Sequence, residues 1–315
     1  MSVLKALEAD DRVERILGMA RRPFDSRHLP KMEYRRGDIL NRAAVDDLVE
    51  EADVVVHLAF VILGTRAQSA EVNLKGSRNV FEAAENSART RRLVYTSSLA
   101  AYGYHSENPV PLTEDVPARG SDEHYYSQQK AACEAILGEL ADNLEVYVLR
   151  PCIVAGPEAT LLARNMPWNR LPGQARRLLA HVPLVRPVVP DPGVRFQLVH
   201  QDDVAAAVRE AALGQGPPGA YNLAAEDEIT ITEFAHALGA AAVPVPHALA
   251  SLTAGLVEVV PLLPAETEWI HAMRYPMIMD TSKARRDLGW TPQYTGHQTL
   301  EAMASAVRAE LTGAR

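Results

Sequence analysis

The sequence predicts an α/β protein: a doubly wound parallel sheet with a smaller, mostly helical C-terminal part. Two observations predict it. Through the first half, short runs of β-branched and aliphatic residues alternate with longer amphipathic runs, the signature of strand–helix–strand units. Beyond Gly156 the texture changes to PWNRLPGQARRLLAHVPLVRPVVPDPG, rich in proline and arginine and without that alternation.

The elements follow in order. SVLKALEADD reads as the end of a helix and RILGMA as a strand. LNRAAVDDLVEEA and SRNVFEAAENSA are helical runs on either side of DVVVHLAF, a short buried strand. RRLVYTSS is a strand ending in small hydroxylated residues, and the Ala-rich run QQKAACEAILGELA is a helix. EVYVLRPCIVAGP is a further strand closed by a Gly-Pro loop, after which FQLVHQDDVAAAV and GAYNLAA return to the sheet. Ligands of such a sheet lie at the carboxyl ends of its strands. The most apolar stretch, PHALASLTAGLVEVVPLLP, is interrupted by Glu258 and prolines before the ~20 residues a membrane span needs. It reads as a helix lining a substrate pocket.

Composition narrows the function. The chain has 315 residues, 47% of them hydrophobic, enough for a real core. A net charge of -8 argues against nucleic acid, whose phosphates need a basic surface. The N-terminal residues carry no apolar run of signal-peptide length, so a cytoplasmic location without membrane attachment is expected. Cys133 and Cys152 form no disulfide or metal pattern, and His105, His124 and His200 have no ligand spacing, so no metal is expected.

The chemistry concentrates in three residues. Tyr126 and Lys130 are four apart in EHYYSQQKAACEAIL and share one helix face. Ser98 precedes the tyrosine by 28 residues, at the end of a strand. A phenol titrates near ~10, and an adjacent ammonium would lower that value, making the tyrosine a usable proton donor and acceptor. Ser98 would hold a substrate oxygen. These are the candidate catalytic residues, and the pattern suggests hydride chemistry at a carbonyl.

Together with GDI at Asp38, NLKGSRNVFEAA from Asn73, TSSLAAYG, YSQQK, LRPCIVAGP, FQLVHQDDVA, YNLA and DTSKARRDLGW, these stretches resemble the extended short-chain dehydrogenase/reductase superfamily, the NAD-dependent epimerase/dehydratase group. The resemblance covers nearly the whole chain. It implies a Rossmann fold, with residues 1–155 and 195–224 as the dinucleotide-binding domain and residues 156–194 and 225–315 as the substrate domain. It also implies that Asp38 and Ile39 flank the adenine and that Leu58, Ala59 and Phe60 back the cofactor. Asn73 would approach the ribose or nicotinamide, Tyr126 and Lys130 the nicotinamide ribose, and Pro151 and Cys152 the ring. The helices carrying Asn79 and Lys130 would form a homodimer face. His57 reads as a packed core group, and His200 as part of a packing element between the two domains.

One piece of the family pattern is missing. Its first strand and GxxGxxG turn, where backbone amides receive the pyrophosphate, have no counterpart in this sequence. The expectation is a longer reading frame at the start. A non-catalytic nucleotide-binding role is the reading if this form is genuine.

Ala20 stands at the end of the second strand of the family pattern, where NAD-preferring members carry an acidic residue, and Arg21 and Arg22 follow it. Two guanidinium groups suit a 2'-phosphate, so NADP is favoured over NAD. Leu99 and Ala100 follow Ser98 where dehydratases of the group carry Asp-Glu, so elimination is disfavoured. Ile153 and Phe196 replace the Asn and Arg that anchor a sugar-nucleotide diphosphate, although Arg195, Arg170, Arg176 or Arg177 could compensate. The expected substrate is a small, relatively apolar alcohol or carbonyl compound, with nucleotide-sugar epimerisation as the alternative.

Overall fold

Four parallel strands carry the centre of the molecule. The computed structural model describes residues 1–62, 65–140, 144–164, 187–245 and 275–312. In chain order these include α1 (Ser2–Glu8), β1 (Ile16–Ala20), β2 (Met32–Arg36), α2 (Arg42–Val49) and β3 (Val54–His57). Next come α3 (Arg66–Ala70), a π-helical turn over Glu71–Gly76, α4 (Ser77–Asn86) and β4 (Arg92–Thr96). Then follow α5 (Tyr125–Gly138), β5 (Glu145–Pro151), β6 (Ile153–Ala155), β7 (Val188–Asp191), β8 (Arg195–His200), β9 (Gly219–Leu223), β10 (Glu228–Thr230) and β11 (Ala241–Pro244).

The large sheet has the order β3-β4-β5-β9, parallel throughout. Side chains alternate along each strand, so Leu93 and Tyr95 of β4 enter one core while Val94 enters the other. The first core holds Val45, Phe81, Cys133, Ile136 and Val148, under α2, α4 and α5. The second holds Leu149, Val204, Val208, Tyr221 and Trp290, under the helix Gln201–Ala212 and the C-terminal residues. Helices therefore cover both faces, as the alternation predicts.

β1 and β2 form a separate parallel ribbon. Among the described residues no ladder joins β1 to β3, so these parallel strands stand in two pieces. Sequence reading did not identify β2 as a strand. Its residues, MEYRR, are charged and none is buried, so the apolar pattern that marks a strand is absent; pairing with β1 defines it.

β8 also departs from expectation. The helix that follows it returns to the large sheet, but β8 itself pairs with β6 and β10 in a small three-stranded sheet. That sheet packs with Phe234, Leu300, Met303 and Val307 in a third core. His200 caps the helix after β8 by accepting from the Asp202 amide and stacks on Tyr294 at 3.9 Å. Asp203 accepts from the Trp290 indole through its carbonyl and from the Gln293 amide through its carboxylate. The HQDDVA motif thus packs the C-terminal segment onto the large sheet. The apolar stretch 246–264 and Arg170, Arg176 and Arg177 lie outside the described residues. Among the described residues no helix is long and apolar enough to cross a membrane.

Candidate active site

Because the strands are parallel, their carboxyl ends open on one side. Ser97 and Ser98 follow β4, Leu58–Phe60 follow β3, Pro151 ends β5 with Cys152 next, and Arg21 and Arg22 follow β1. Helix α5 starts over this edge. Its N-cap is His124, whose Nδ1 accepts from the Ser127 amide, satisfying a donor the first turn would otherwise leave open. The Ser127 hydroxyl donates to the Ala100 carbonyl at 2.6 Å, tying the helix start to the turn that follows Ser98. Gly120 permits this approach: at φ +66° a Cβ there would meet the α5 backbone at Gln128.

Tyr126 is partly buried, and the Ser98 side chain lies near enough to its phenol to favour the ionised form. Ser98 also accepts from the Ala100 amide. The structure therefore brings two of the three residues together. Lys130 lies one turn further along α5, buried, with its ammonium donating to the Thr96 carbonyl at 2.8 Å and the Tyr95 hydroxyl at 3.3 Å. It sits 3.6 Å from the centre of the Phe60 ring and 5.9 Å from that of Tyr126. Phe60 meets Tyr126 edge-on, with ring centres 5.5 Å apart.

The electrostatics differ from the simple expectation of a phenol made more acidic by its lysine. Burial pushes Tyr126 up, and the Ser98 side chain pulls it back only in part. Burial also brings Lys130 down to about 7, against the pull of Cys133 and Glu134. An ammonium enclosed by aromatic rings loses hydration that one carbonyl and one hydroxyl replace only partly.

The remaining candidates divide by exposure. Leu58 is 47% exposed, unusual for so large an apolar side chain at a strand end, and Ala59 beside it is exposed too. Asp38 accepts from the Leu40 amide, while Ile39 accepts from Asn79 and packs on Gly76. Pro151 and Cys152 are buried, the Cys152 amide donating to Leu223 and its thiol pushed up by burial. Asn73, in the π-helical turn, is fully buried. Its amide bonds the Val61 backbone twice and Gln129 once, so it fastens the 58–62 segment to α5 from beneath the cleft. His57 is a core residue, bonded to Ser77 and pushed down to about 3 by burial.

Arg21 and Arg22 are exposed and, with Arg36 at the end of β2, make no ion pair among the described residues. Nearby, Arg15 and Arg35 are both paired with Glu33 and Glu51. Arg36 donates to the Arg21 carbonyl, which places the two side by side. Sequence reading missed Arg36 because β2 went unrecognised. It also missed Glu134, which follows Lys130 by the same four-residue step that links Lys130 to Tyr126.

A parallel sheet with helices on both faces, and a serine, a tyrosine and a lysine at its strand ends, defines the class of nicotinamide-dependent α/β enzymes. The model of the NAD dependent epimerase/dehydratase family matches residues 2–224, and the chain belongs to that family. It is 27% identical over 285 residues to an uncharacterised protein of Mycobacterium tuberculosis, covering 88% of this chain and 71% of that one. It is 27% identical over 278 residues to a dTDP-glucose 4,6-dehydratase of Streptomyces niveus, covering 84% and 73%. Among solved structures, a UDP-glucuronic acid 4-epimerase of Bacillus cereus in complex with NAD superposes with a TM-score of 0.70 at 17% identity, over 98% of this chain and 95% of that one. That likeness shows the fold.

Proposed function

We propose that this protein interconverts a small, relatively apolar alcohol and its carbonyl compound with a nicotinamide dinucleotide. The observation that carries the reading is the placement of Tyr126 over the strand ends, within reach of the Ser98 side chain and with Lys130 5.9 Å from its ring centre, one helical turn behind. The dinucleotide, when bound, supplies or accepts the hydride. Tyr126 gives its phenolic proton to the carbonyl oxygen in reduction and takes it back in oxidation. Ser98, already placed against that phenol, holds the same oxygen. Lys130, when protonated, sets a positive charge one helical turn from the phenol.

The residues present fit the dinucleotide at its two ends. Exposed Leu58 and Ala59 offer an apolar bed beside Tyr126, and Asp38, Ile39, Pro151 and Cys152 line the neighbouring strand ends. Arg21, Arg22 and Arg36, with no carboxylate partner among the described residues, suit the 2'-phosphate of NADP. Leu99 and Ala100 are buried and apolar, and neither can move the protons that elimination requires. Ile153 and Phe196 pack against the small-sheet core, Phe196 edge-on to Phe234, and neither side chain offers a diphosphate a hydrogen-bond donor.

A second reading, epimerisation of a nucleotide sugar, is favoured by the names of the Streptomyces and Bacillus proteins. Net change at the nicotinamide absorbance band separates the two. A dehydrogenase consumes cofactor steadily, and an epimerase inverts its product with no net change. Tyr126→Phe is expected to lower turnover by roughly 100-fold or more, the scale of positioned acid–base catalysis; wild-type turnover would sink the assignment. Replacing Arg21 and Arg22 by alanine is expected to weaken NADPH binding by roughly tenfold or more and to leave NADH binding unchanged. Equal loss for both cofactors would remove the 2'-phosphate reading.

A further inference from the structure

We infer that Glu134 and Arg150 form a positioning pair that holds Ser98 in place and sets the charge of Lys130. The inference rests on the reading of Ser98, Tyr126 and Lys130 as the reacting groups, and extends it to two residues that no comparison assigns. Tyr126, Lys130 and Glu134 follow at four-residue steps on α5, so they lie along one helix face. The Glu134 carboxylate accepts from Arg150 Nη2 at 2.6 Å and from Nε at 3.1 and 3.2 Å. Its Oε1 also accepts from the hydroxyl of Ser97, the residue before Ser98. One carboxylate thus joins the end of β4, the helix carrying Tyr126 and Lys130, and the end of β5.

The pair is costly where it stands. Its side chains are 7% and 9% exposed, and two buried charges often stabilise a fold no better than an apolar pair of the same volume. The surroundings meet it in part, since Arg150 Nη1 finds no hydrogen-bond partner among the described residues. The Arg150 guanidinium lies 4.5 Å from the centre of the Tyr102 ring, and the Tyr102 hydroxyl donates to Asn222 on β9. A buried charge pair linking three elements beside a reacting ammonium is explained by placement and field rather than by cohesion.

The field acts on Lys130. Around that ammonium stand His57 from β3, Tyr95 from β4, Phe60 from the segment after β3, and Tyr126, Cys133 and Glu134 from α5 itself. Glu134 is the carboxylate of this set, and Arg150 of β5 balances it. Removing either partner therefore leaves an uncompensated charge of opposite sign near the lysine. Glu134→Gln leaves Arg150 positive, which drives the proton off Lys130 at lower pH. Arg150→Met leaves Glu134 negative, which holds the proton to higher pH. A purely structural pair predicts no such opposition.

The test is to follow the Lys130 13Cε resonance with pH in lysine-labelled protein, assigned by its loss in Lys130→Met. The apparent pKa is expected to fall by about one unit or more in Glu134→Gln, to rise by about the same in Arg150→Met, and to return towards wild type in the double variant. Shifts in the same direction, or none, in folded single variants overturn the inference. Should a single variant not fold, Glu134→Leu/Arg150→Met keeps the volume without the charges. Wild-type kcat in that double variant overturns the inference, and kcat lowered at least about tenfold with KM little changed supports it. The titration is read without turnover. Its failure leaves the role of Tyr126 standing, and a Tyr126→Phe variant of full activity leaves the titration result standing.

Discussion

The two pieces of the sheet are held together by different means. In the four-stranded piece, β4 and β5 are buried on both faces, and the polar groups at their ends are tied down by Glu134, Arg150, Ser97 and Lys130. In the β1–β2 ribbon only Ile16 is buried, and beyond the backbone ladder that pairs the strands it carries exposed ion pairs of Arg15 and Arg35 with Glu33 and Glu51. Buried side chains contribute roughly 1.5 to 3 kcal/mol each, whereas exposed ion pairs, screened and entropically costly, contribute little. The reacting groups thus stand on the rigid piece, and the arginines proposed to read the cofactor phosphate stand on the looser one. A side chain that transfers a proton needs sub-ångström placement; a long guanidinium that meets an exposed phosphate does not.

The sharpest way to break this comparison is truncation on each side. Leu149→Ala, in β5 and fully buried, is expected to cost about 2 to 5 kcal/mol in denaturant unfolding. Leu17→Ala, in β1 and partly buried, is expected to cost well under half of that. Equal costs would show that the ribbon is as well packed as the sheet.

A smaller effect sharpens the account of the rigid piece. Lys130 is held near 7, below its ordinary 10.5, so folding disfavours its charged form. The resulting destabilisation is complete below pH 7 and is relieved as pH rises towards 10.5. Lys130→Met should therefore gain most in stability over wild type at pH 6, with the difference narrowing at pH 9. Melting midpoints at the two pH values check this, and an advantage that grew with pH would contradict a buried, depressed lysine. The smallest effect belongs to the ribbon. Glu33→Gln is expected to move the unfolding midpoint slightly in low salt and not measurably in high salt, as a screened surface pair should.

Legibility followed the same division. The large sheet was readable because VVVH, RLVYT and VYVLRP are unbroken apolar runs, as two-sided burial demands. β2 was not, because an exposed, charged strand carries no such signature, and Arg36 was lost with it. Ser98, Tyr126 and Lys130 were legible as a motif with a chemical reason. Their contacts were not: Lys130 faces Phe60, Tyr95 and the Thr96 carbonyl, none of which a four-residue spacing predicts. Asn73 stood out in the sequence as a site candidate, but its buried place joining the 58–62 segment to α5 depends on a π-helical turn that local sequence does not announce.

By itself, the sequence determined the α/β class, the order of most of the elements, the family, and the serine, tyrosine and lysine on which the proposed chemistry rests. The class and the element order follow from periodicity, the three residues from short-range spacing, and the family from the motifs it resembles, all of them written along the chain. The tertiary structure alone decided that β8 pairs with β6 and β10, that Lys130 is enclosed by aromatic rings, and that Glu134 meets Arg150 and Ser97. Those facts join residues tens of positions apart, and they follow from the three-dimensional path of the backbone, which brings three strand ends and one helix face to a single edge.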